Sequence, residues 1–558
     1  MELVMDRLSV VLLGGISLLA LIHLVLLRKP DPATHPLILG RQSDVDKVRR
    51  PGESPVFVSS TTGLGGLAKQ LVKGYKSIHD IYEAMNAQDG SRPSKIVIGA
   101  AGKEAILAEK VHALATLLKQ DSEVATKGLS IKLDDPTDAL VTTLAASRLS
   151  DATGVKPPLT LCNANGISEY GSSPIAVASA DLQALKAISS DRSRSNSNGD
   201  GKGTVYLVNS GPQPPNLDPT KFLPADWQIA RRIGIENMPV ASAEKIGKED
   251  GKQDTAACFV RMQVVSGVTE GVAQVDHRHL LQGGLISLMS IFPPNEKPTS
   301  ADSILSFEST STPYGLTVAL MCAAVGATFR LCTPQRGIVA RCKASSPSII
   351  FCTPNELNAI RAAMFQILPK DGGIIYPLAK AHKMSLLNAG NVSKTTFWDN
   401  MIFGRIREGI VGGRLRCIIC SAEEGVGPTT EVLDFMRMAL GIPVVVAMTH
   451  PLVAGPVTNT LFHDFQRFPT LSRTTTYAHV GAPSATIESK LVGVNDDVVK
   501  SGVYEGELAI RGPSVLRSFI RSPGAADVSL ENGWTRTGVR VELQKNGTLK
   551  PLKQHNPR

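Results

Sequence analysis

The chain opens on an apolar run. Residues 8–27 read LSVVLLGGISLLALIHLVLL, with no charge inside and His23 as the one titratable group. At about 1.5 Å per residue such a stretch reaches about 30 Å, the thickness of a bilayer core. Arg28 and Lys29 close the run and Arg41, Lys47, Arg49 and Arg50 follow, whereas only Glu2, Asp6 and Arg7 precede it. Positive charge stays on the cytosolic side, so the expectation is a transmembrane signal anchor over residues 1–29 with everything after it in the cytosol. A cleaved signal peptide would want a basic start, a shorter apolar core and a small-residue cleavage site. Here the start is not basic, the run is long, and Leu-Arg-Lys-Pro follows it.

Beyond the run, residues 30–64 are rich in Pro, Arg and Ser and read as an extended basic tether. From 65 to 86 the spacing of Leu67, Leu71, Ile78, Ile81 and Met85 predicts an amphipathic helix. Lys69, Lys73 and Lys76 lay a basic stripe beside that apolar one. Strand and helix patterns then alternate: a strand at 95–99, a helix at 103–119, a strand at 203–210, and further alternation from 279 to about 450. Residues 189–203, SSDRSRSNSNGDGKG, are low in complexity and read as a mobile surface loop. After 475 the pattern changes to short β runs broken by Gly and Pro. The predicted organisation is therefore α/β: a first α/β subdomain over 65–255, a second over 256–474, and a β-rich subdomain over 475–558.

Composition narrows the function classes. The chain has 558 residues, 42% hydrophobic and 20% charged, which is globular rather than disordered. Its net charge of +9 is spread out, without a Lys/Arg stripe interleaved with aromatics, so nucleic acid is not an expected partner. Cys417 and Cys420 lie in an apolar strand pattern with no second ligand pair nearby, which reads as buried thiols rather than zinc. Gly99-Ala100-Ala101-Gly102-Lys103-Glu104 has two residues between its glycines where a Walker loop needs four, and reads as a plain turn before a helix. His277 and His279 stand two apart and do not share a helix face. There is no Gly-x-Ser-x-Gly elbow, hence no serine-hydrolase nucleophile.

The last segment carries a resemblance. Gly506-Glu507-Leu508-Ala509-Ile510-Arg511-Gly512-Pro513, followed by Glu531-Asn532-Gly533-Trp534-Thr535-Arg536-Thr537-Gly538-Val539, resembles the closing motifs of the adenylate-forming (AMP-binding) enzymes, most of all the long-chain acyl-CoA synthetases. Ser348–Leu357, Phe397–Arg407 with Gly412-Gly413-Arg414, Gly455-Pro456-Val457-Thr458 and Val480-Gly481-Ala482-Pro483 have counterparts in the same order. The resemblance implies the large N-terminal domain of that family, two α/β subdomains plus a distorted β-barrel. It also implies ATP, magnesium and CoA as cofactors of the family's reaction.

It further implies which positions should do chemistry, and those positions have changed. The family's last turn ends in an Asp that holds the ribose of ATP; this chain has Val539. The phosphate loop becomes 264–273, VVSGVTEGVA, where the Pro-Lys pair is gone and Glu270 lies where an anion should bind. The family's histidine near the activated carboxylate aligns with Thr312. Its Ser-Gly-Gly-Ala-Pro turn at the adenine becomes Ser421-Ala422-Glu423-Glu424-Gly425, and the turn whose Glu binds magnesium becomes 447–452, with no carboxylate. The chain ends roughly twenty residues after Val539, where the family continues into a small C-terminal domain, so that domain is expected to be missing. Each lost charge-assisted contact costs about 1.5–3 kcal/mol.

The sequence thus offers no catalytic, cofactor-binding or metal residue. The expectation is a membrane-anchored acyl-CoA synthetase-like pseudoenzyme with a lipid-binding or scaffolding role in fatty-acid metabolism. The endoplasmic reticulum is the first candidate for its location, and a lipid droplet or other organelle membrane the second. Expected partners are the membrane through residues 8–27, a long-chain fatty acid or acyl-CoA, and a protein. Leu285, Leu288 and Met289 are the residues expected to line an acyl interior, unless that interior has filled in. Two other readings stay open: an active fatty acid–CoA ligase with an unconventional or partner-completed site, and a purely structural membrane protein.

Overall fold

The structure, a computed structural model, describes residues 6–22, 31–60, 74–84, 95–98, 103–121, 124, 129–133, 135–154, 157–161, 175–179, 203–208, 227–238, 255–264, 269–333, 337–368, 375–468, 477–499, 504–516, 519–521 and 531–552. Its frame is three sheets. The nine-stranded sheet runs, edge to edge, Ala482–Pro483, Thr458–Asn459, Val444–Thr449, Cys417–Glu423, Ile349–Cys352, Ser303–Ser306, Thr328–Leu331, Lys95–Ile98, Lys103–Ile106. Its six middle strands are parallel. The four central ones, covered on both faces, are buried almost throughout, whereas Thr328–Leu331 and Lys95–Ile98 towards the edge alternate in burial. Ile349–Cys352 and Val444–Thr449 are buried at every position, and so are Cys417 and Cys420.

The eight-stranded sheet repeats this plan: six parallel strands from Ala256–Val264 to Trp227–Ile233, then Thr269–Asp276 and Phe519–Arg521 antiparallel at one edge. The third sheet is antiparallel and has six strands: Ser43–Lys47, Val56–Ser59, Glu488–Val492, Tyr504–Arg511, Thr535–Leu543, Leu549–Pro551.

Helices cover the parallel strands, and their starts are written locally. Asp135 caps Pro136–Thr153 by accepting from the Thr137 and Asp138 amides at 2.8 and 3.1 Å, and Gly154 closes it with a φ of +70°. Thr353 and Glu356 form a capping box before Pro354–Ile367. Thr429 and Gly441 bracket Thr430–Leu440 in the same way. A π-helix, His279–Leu285, runs into Ile286–Met289 and carries two glycines that a side chain could not replace. A Cβ on Gly283 would lie 2.3 Å from Ser514 Cα, and one on Gly284 would lie 2.2 Å from the Ala454 oxygen. The Gly455-Pro456 and Gly512-Pro513 segments therefore dock backbone to backbone on this helix.

The chain does not fill the sheets in order. Lys95–Ile98, in the stretch expected to form the first subdomain, pairs with Thr328–Leu331 in the nine-stranded sheet. Ala256–Val264 and Thr269–Asp276, expected to open the second subdomain, lie in the eight-stranded one. Lys103–Ile106 forms a strand antiparallel to Lys95–Ile98, and the predicted helix begins only at Leu107.

The stretch read as a tether also forms structure. Ser43–Lys47 and Val56–Ser59 pair with each other, and Phe57 reaches Ser489 of the neighbouring strand. The Asp31 oxygen accepts from Asn391 Nδ2 at 2.9 Å, and Gln42, 1% exposed, donates to Asp464 at 2.7 Å.

At the N-terminus the described helix is Arg7–Ile22, 16 residues, with Leu8, Val11, Ile16 and Leu19 exposed. Among the described residues no helix is long and apolar enough to cross a membrane, so the predicted transmembrane helix has no support here. The last residues of the apolar run, 23–27, lie outside the described residues, as do half of the predicted helix at 65–86 and the loop at 189–202; in the described half only Ile78–Ala84 is helical, which leaves Lys76 before the helix.

Candidate functional site

In an open α/β sheet, ligands meet the carboxyl ends of the parallel strands. Three of the altered positions arrive there together, from the ends of Ser303–Ser306, Cys417–Glu423 and Val444–Thr449. The fourth, Val539, comes from Thr535–Leu543 of the antiparallel sheet.

After Ser303–Ser306 the chain turns sharply. Thr310 Oγ1 donates to the Pro136 oxygen at 2.8 Å, and the Glu308 amide donates to Ser306 Oγ at 3.2 Å. Thr312, where the resemblance puts the family's histidine, caps Pro313–Ala324. Its hydroxyl donates to the Ser309 oxygen at 2.7 Å and accepts from the Gly315 amide at 3.1 Å, so both its capacities are spent on the turn. Glu308 is 8% exposed and its Oε1 has no hydrogen-bond partner. Burial, with the Glu423 and Glu356 carboxylates nearby, pushes its pKa up to about 7 against a hydrogen bond from Ser421. The Tyr314 hydroxyl is likewise buried without a partner, and burial raises its pKa well above the usual value. Sequence reasoning had not marked Glu308 as unusual.

After Cys417–Glu423, residues 422–426 fold into a tight turn. Glu424 takes a φ of +47° and Gly425 one of +83°, and the Glu424 amide donates to the Thr449 oxygen at 2.9 Å. A Cβ on Gly425 would lie 2.9 Å from Val539 Cγ1 and 3.1 Å from Pro551 Cβ. Val539 is 2% exposed and belongs to the same apolar cluster as Ala422, Val446 and Met448. Its isopropyl group thus occupies the place over the turn.

After Val444–Thr449 comes His450, 2% exposed. Its Nδ1 accepts from the Leu452 amide at 3.2 Å, which leaves the proton on Nε2, and Nε2 donates to the Thr537 oxygen at 3.2 Å. Burial lowers its pKa to about 4. The imidazole is a neutral brace between the nine-stranded sheet and Thr535–Leu543.

The stretch aligned with the phosphate loop is a β-hairpin. Val264 pairs with Thr269 and Gln263 with Glu270 at the backbone, and residues 265–268 lie outside the described residues. Leu285, Leu288 and Met289 are at most 1% exposed and sit in the largest packed core with Leu316 and Leu320.

A second polar cluster lies below this edge. His79 Nε2 and His277 Nε2 stand 3.1 and 3.2 Å from Asp151 Oδ2. The Ile78 amide donates to His277 Nδ1 at 3.3 Å, which places the His277 proton on Nε2, facing the carboxylate. Burial lowers His79 to about 4. Burial alone would raise Asp151, but the hydrogen bonds from His277 and His79 hold it low. With the Ile78 amide aimed at its Nδ1, His277 presents an N–H to Asp151, and we read this cluster as a brace between Ile78–Ala84, Pro136–Thr153 and the hairpin.

This architecture defines the class. The fold is that of the adenylate-forming enzymes. It superposes on a malonyl-CoA ligase with methylmalonyl-CoA and AMP bound (TM-score 0.53, 15% identity, 85% of this chain and 81% of that one). It also superposes on VinN (TM-score 0.52, 15% identity, 85% and 98%) and on a benzoate CoA ligase from Burkholderia xenovorans LB400 (TM-score 0.52, 14% identity, 85% and 79%). In sequence the chain is similar to long-chain-fatty-acid–CoA ligase 5 of Mus musculus, 26% identical over 356 residues, 59% of this chain and 47% of that protein. It is similar also to long-chain-fatty-acid–CoA ligase 1 of Homo sapiens, 24% identical over 328 residues, 57% and 45%. In sequence the chain is thus similar to the long-chain fatty acid–CoA ligases, and its matches span about half the length of those curated relatives. No family profile matches it.

Proposed function

We propose that this chain is a membrane-held relative of the fatty acid–CoA ligases that does not make acyl-adenylates and acts as a lipid-associated scaffold in fatty-acid metabolism. The observation that carries the reading is Val539, buried against Gly425 at the position where the resemblance puts the carboxylate for the ATP ribose. A valine accepts no hydrogen bond, and its side chain fills the space over the turn. His450 spends both ring nitrogens inside the protein, and Thr312 spends its hydroxyl on a helix cap. The turn at 447–452 has no carboxylate to hold magnesium. These residues do not fit a magnesium–nucleotide pair, and we derive no reaction step through one. Adenylyl transfer rests on positioning and on charge stabilisation. Losing several such terms together removes well over about 8 kcal/mol, the low end of enzymatic acceleration.

Membrane attachment is supported by the apolar run at 8–27 and the cations that follow it. The positive-inside rule then puts the body in the cytosol, with the endoplasmic reticulum as the first membrane to examine.

The test is pyrophosphate release by the purified full chain with ATP, magnesium and palmitate. We expect none above the enzyme-free rate, and no saturable ATP binding by calorimetry. Palmitate-dependent release, abolished by substitutions within 266–271, would overturn the reading in favour of a working ligase.

A further inference from the structure

The six-stranded sheet carries a cavity that nothing above uses. It measures about 970 Å³ and lies between the strap at 47–56 and the strands Glu488–Val492, Tyr504–Arg511 and Thr535–Leu543. That is the size of a small-molecule pocket rather than of a nucleic-acid groove. Its floor is Trp534, 6% exposed, which shares a small apolar cluster with Val56, Val492 and Ala509. Lys490 Nζ and Arg511 Cζ each stand 4.9 Å from the indole centroid. With its ring engaged by two cations, the indole is poorly placed to stack a nucleobase, and what the cavity presents is positive charge.

The wall holds six cations (Lys47, Arg49, Arg50, Lys490, Arg511, Arg536) against one carboxylate, Glu53. The inner ones are tied down: Lys490 to Glu53 at 2.6 Å, Arg511 to Glu488. Arg49 pairs with Asp496. The other rim cations are held loosely. Lys47 stands 4.0 Å from Asp46, Arg536 stands 3.7 Å from Glu507, and Arg50 is exposed. A cleft lined by one sign of charge over low-dielectric walls focuses the field on its occupant. Guanidinium groups arriving from two sides suit phosphate oxygens, which they bind in pairs. A second cavity of about 720 Å³ shares Arg511, Asn532 and Trp534 and adds Arg278 and Glu488.

We propose that the cavity over Trp534 binds a multiply charged phosphate ester, with Arg50 and Arg536 as its main anchors. The site is separate from the strand ends where adenylation chemistry would lie, so it stands whether or not the chain makes adenylates. The phosphate could come from a free polyanion or from a lipid headgroup, and the test separates the two.

Calorimetry on the full chain in detergent at low salt uses inorganic tripolyphosphate. Flotation uses phosphatidylcholine vesicles with and without phosphatidylinositol 4,5-bisphosphate, with the chain carrying residues 1–29 compared with a version lacking them. Arg50→Ala with Arg536→Ala, both at the exposed rim, should weaken binding at least tenfold while the melting temperature stays within a few degrees. Glu53→Gln, which releases Lys490, should tighten binding severalfold. Binding of tripolyphosphate that follows this pattern supports a free polyanion. Flotation that requires the bisphosphate lipid and follows this pattern supports a headgroup. No saturable binding in either arm overturns the proposal, and so does binding that the double variant leaves unchanged. Tripolyphosphate binding lost only on substitution within 266–271 overturns it too, and would point to the hairpin instead.

Discussion

At the scale of single residues, the strand-end edge is governed by what burial does to ionisable groups. Glu308 prefers its protonated form because its charge is buried, with a folded pKa near 7 against an ordinary 4.5. A raised acid binds its proton more tightly when folded. Its contribution is therefore harmless below about 4.5 and becomes a full penalty above about 7. We expect Glu308→Gln to stabilise the protein at pH 8 by about 1–3 kcal/mol and to change little at pH 4.5. The histidines act at the other end of the scale. His79 and His450 both fall to about 4 through burial, from an ordinary 6.5. Their neutral forms support the fold fully above about 6.5, and that support is lost as pH drops towards 4. Thermal melting from pH 4 to 9 should show a maximum near pH 6.5–7 in the native chain. In the Glu308→Gln variant the rise between pH 4.5 and 7 should be steeper, because the penalty that accrues over that interval is gone. A native profile that rises steadily to pH 9 would contradict both assignments.

At the scale of elements, the strap at 31–60 matters most, because it turns a stretch that reads as linker into part of a sheet. Its fixed points are specific polar contacts. Gln42 donates to Asp464, which is fully buried, and the Gln42 amide donates to the Asn546 oxygen at 2.8 Å. Asn546 in turn donates to the Leu39 oxygen at 3.1 Å. Gln42→Ala strips a buried carboxylate of a donor, at about 1–3 kcal/mol. We expect a denaturation midpoint shifted by that amount, and faster proteolysis within 31–60. A surface change such as Val48→Ser, at an 87% exposed position, should shift neither. Asn391 and Asn546 both head glycosylation sequons, and both use their side-chain amides inside the fold. A glycan on either would displace the strap.

At the scale of the whole molecule, the question is what holds it where it works. The described helix at the N-terminus exposes a row of large apolar side chains, and the chain re-enters the body at residues 31–33, beside the Gly390–Asn391 turn. We expect removal of residues 1–29 to leave the body folded and release it from membranes into the carbonate-soluble fraction. Retention of the truncated chain through carbonate and high salt would show a second membrane contact.

What the sequence determined by itself was local and ordered. The strands with unbroken apolar runs, the capping box at Thr353, the N-cap at Thr429 and the succession of motifs from 348 to 539 follow from patterns within a few residues. They were enough to reach the fold and to mark Thr312, Val539 and the altered turns. The tertiary structure alone decided which strand lies beside which. Lys95–Ile98 pairs with a strand more than two hundred residues later, and the strap joins strands from the far end of the chain. It alone gave Val539 its place against Gly425, and Glu308 and His450 their burial. It also put Leu285, Leu288 and Met289 into packed core. The physical reason is common to all of these: burial, pKa and close approach depend on neighbours distant in sequence, and a pattern of apolar and polar positions says which face is hidden but not what hides it.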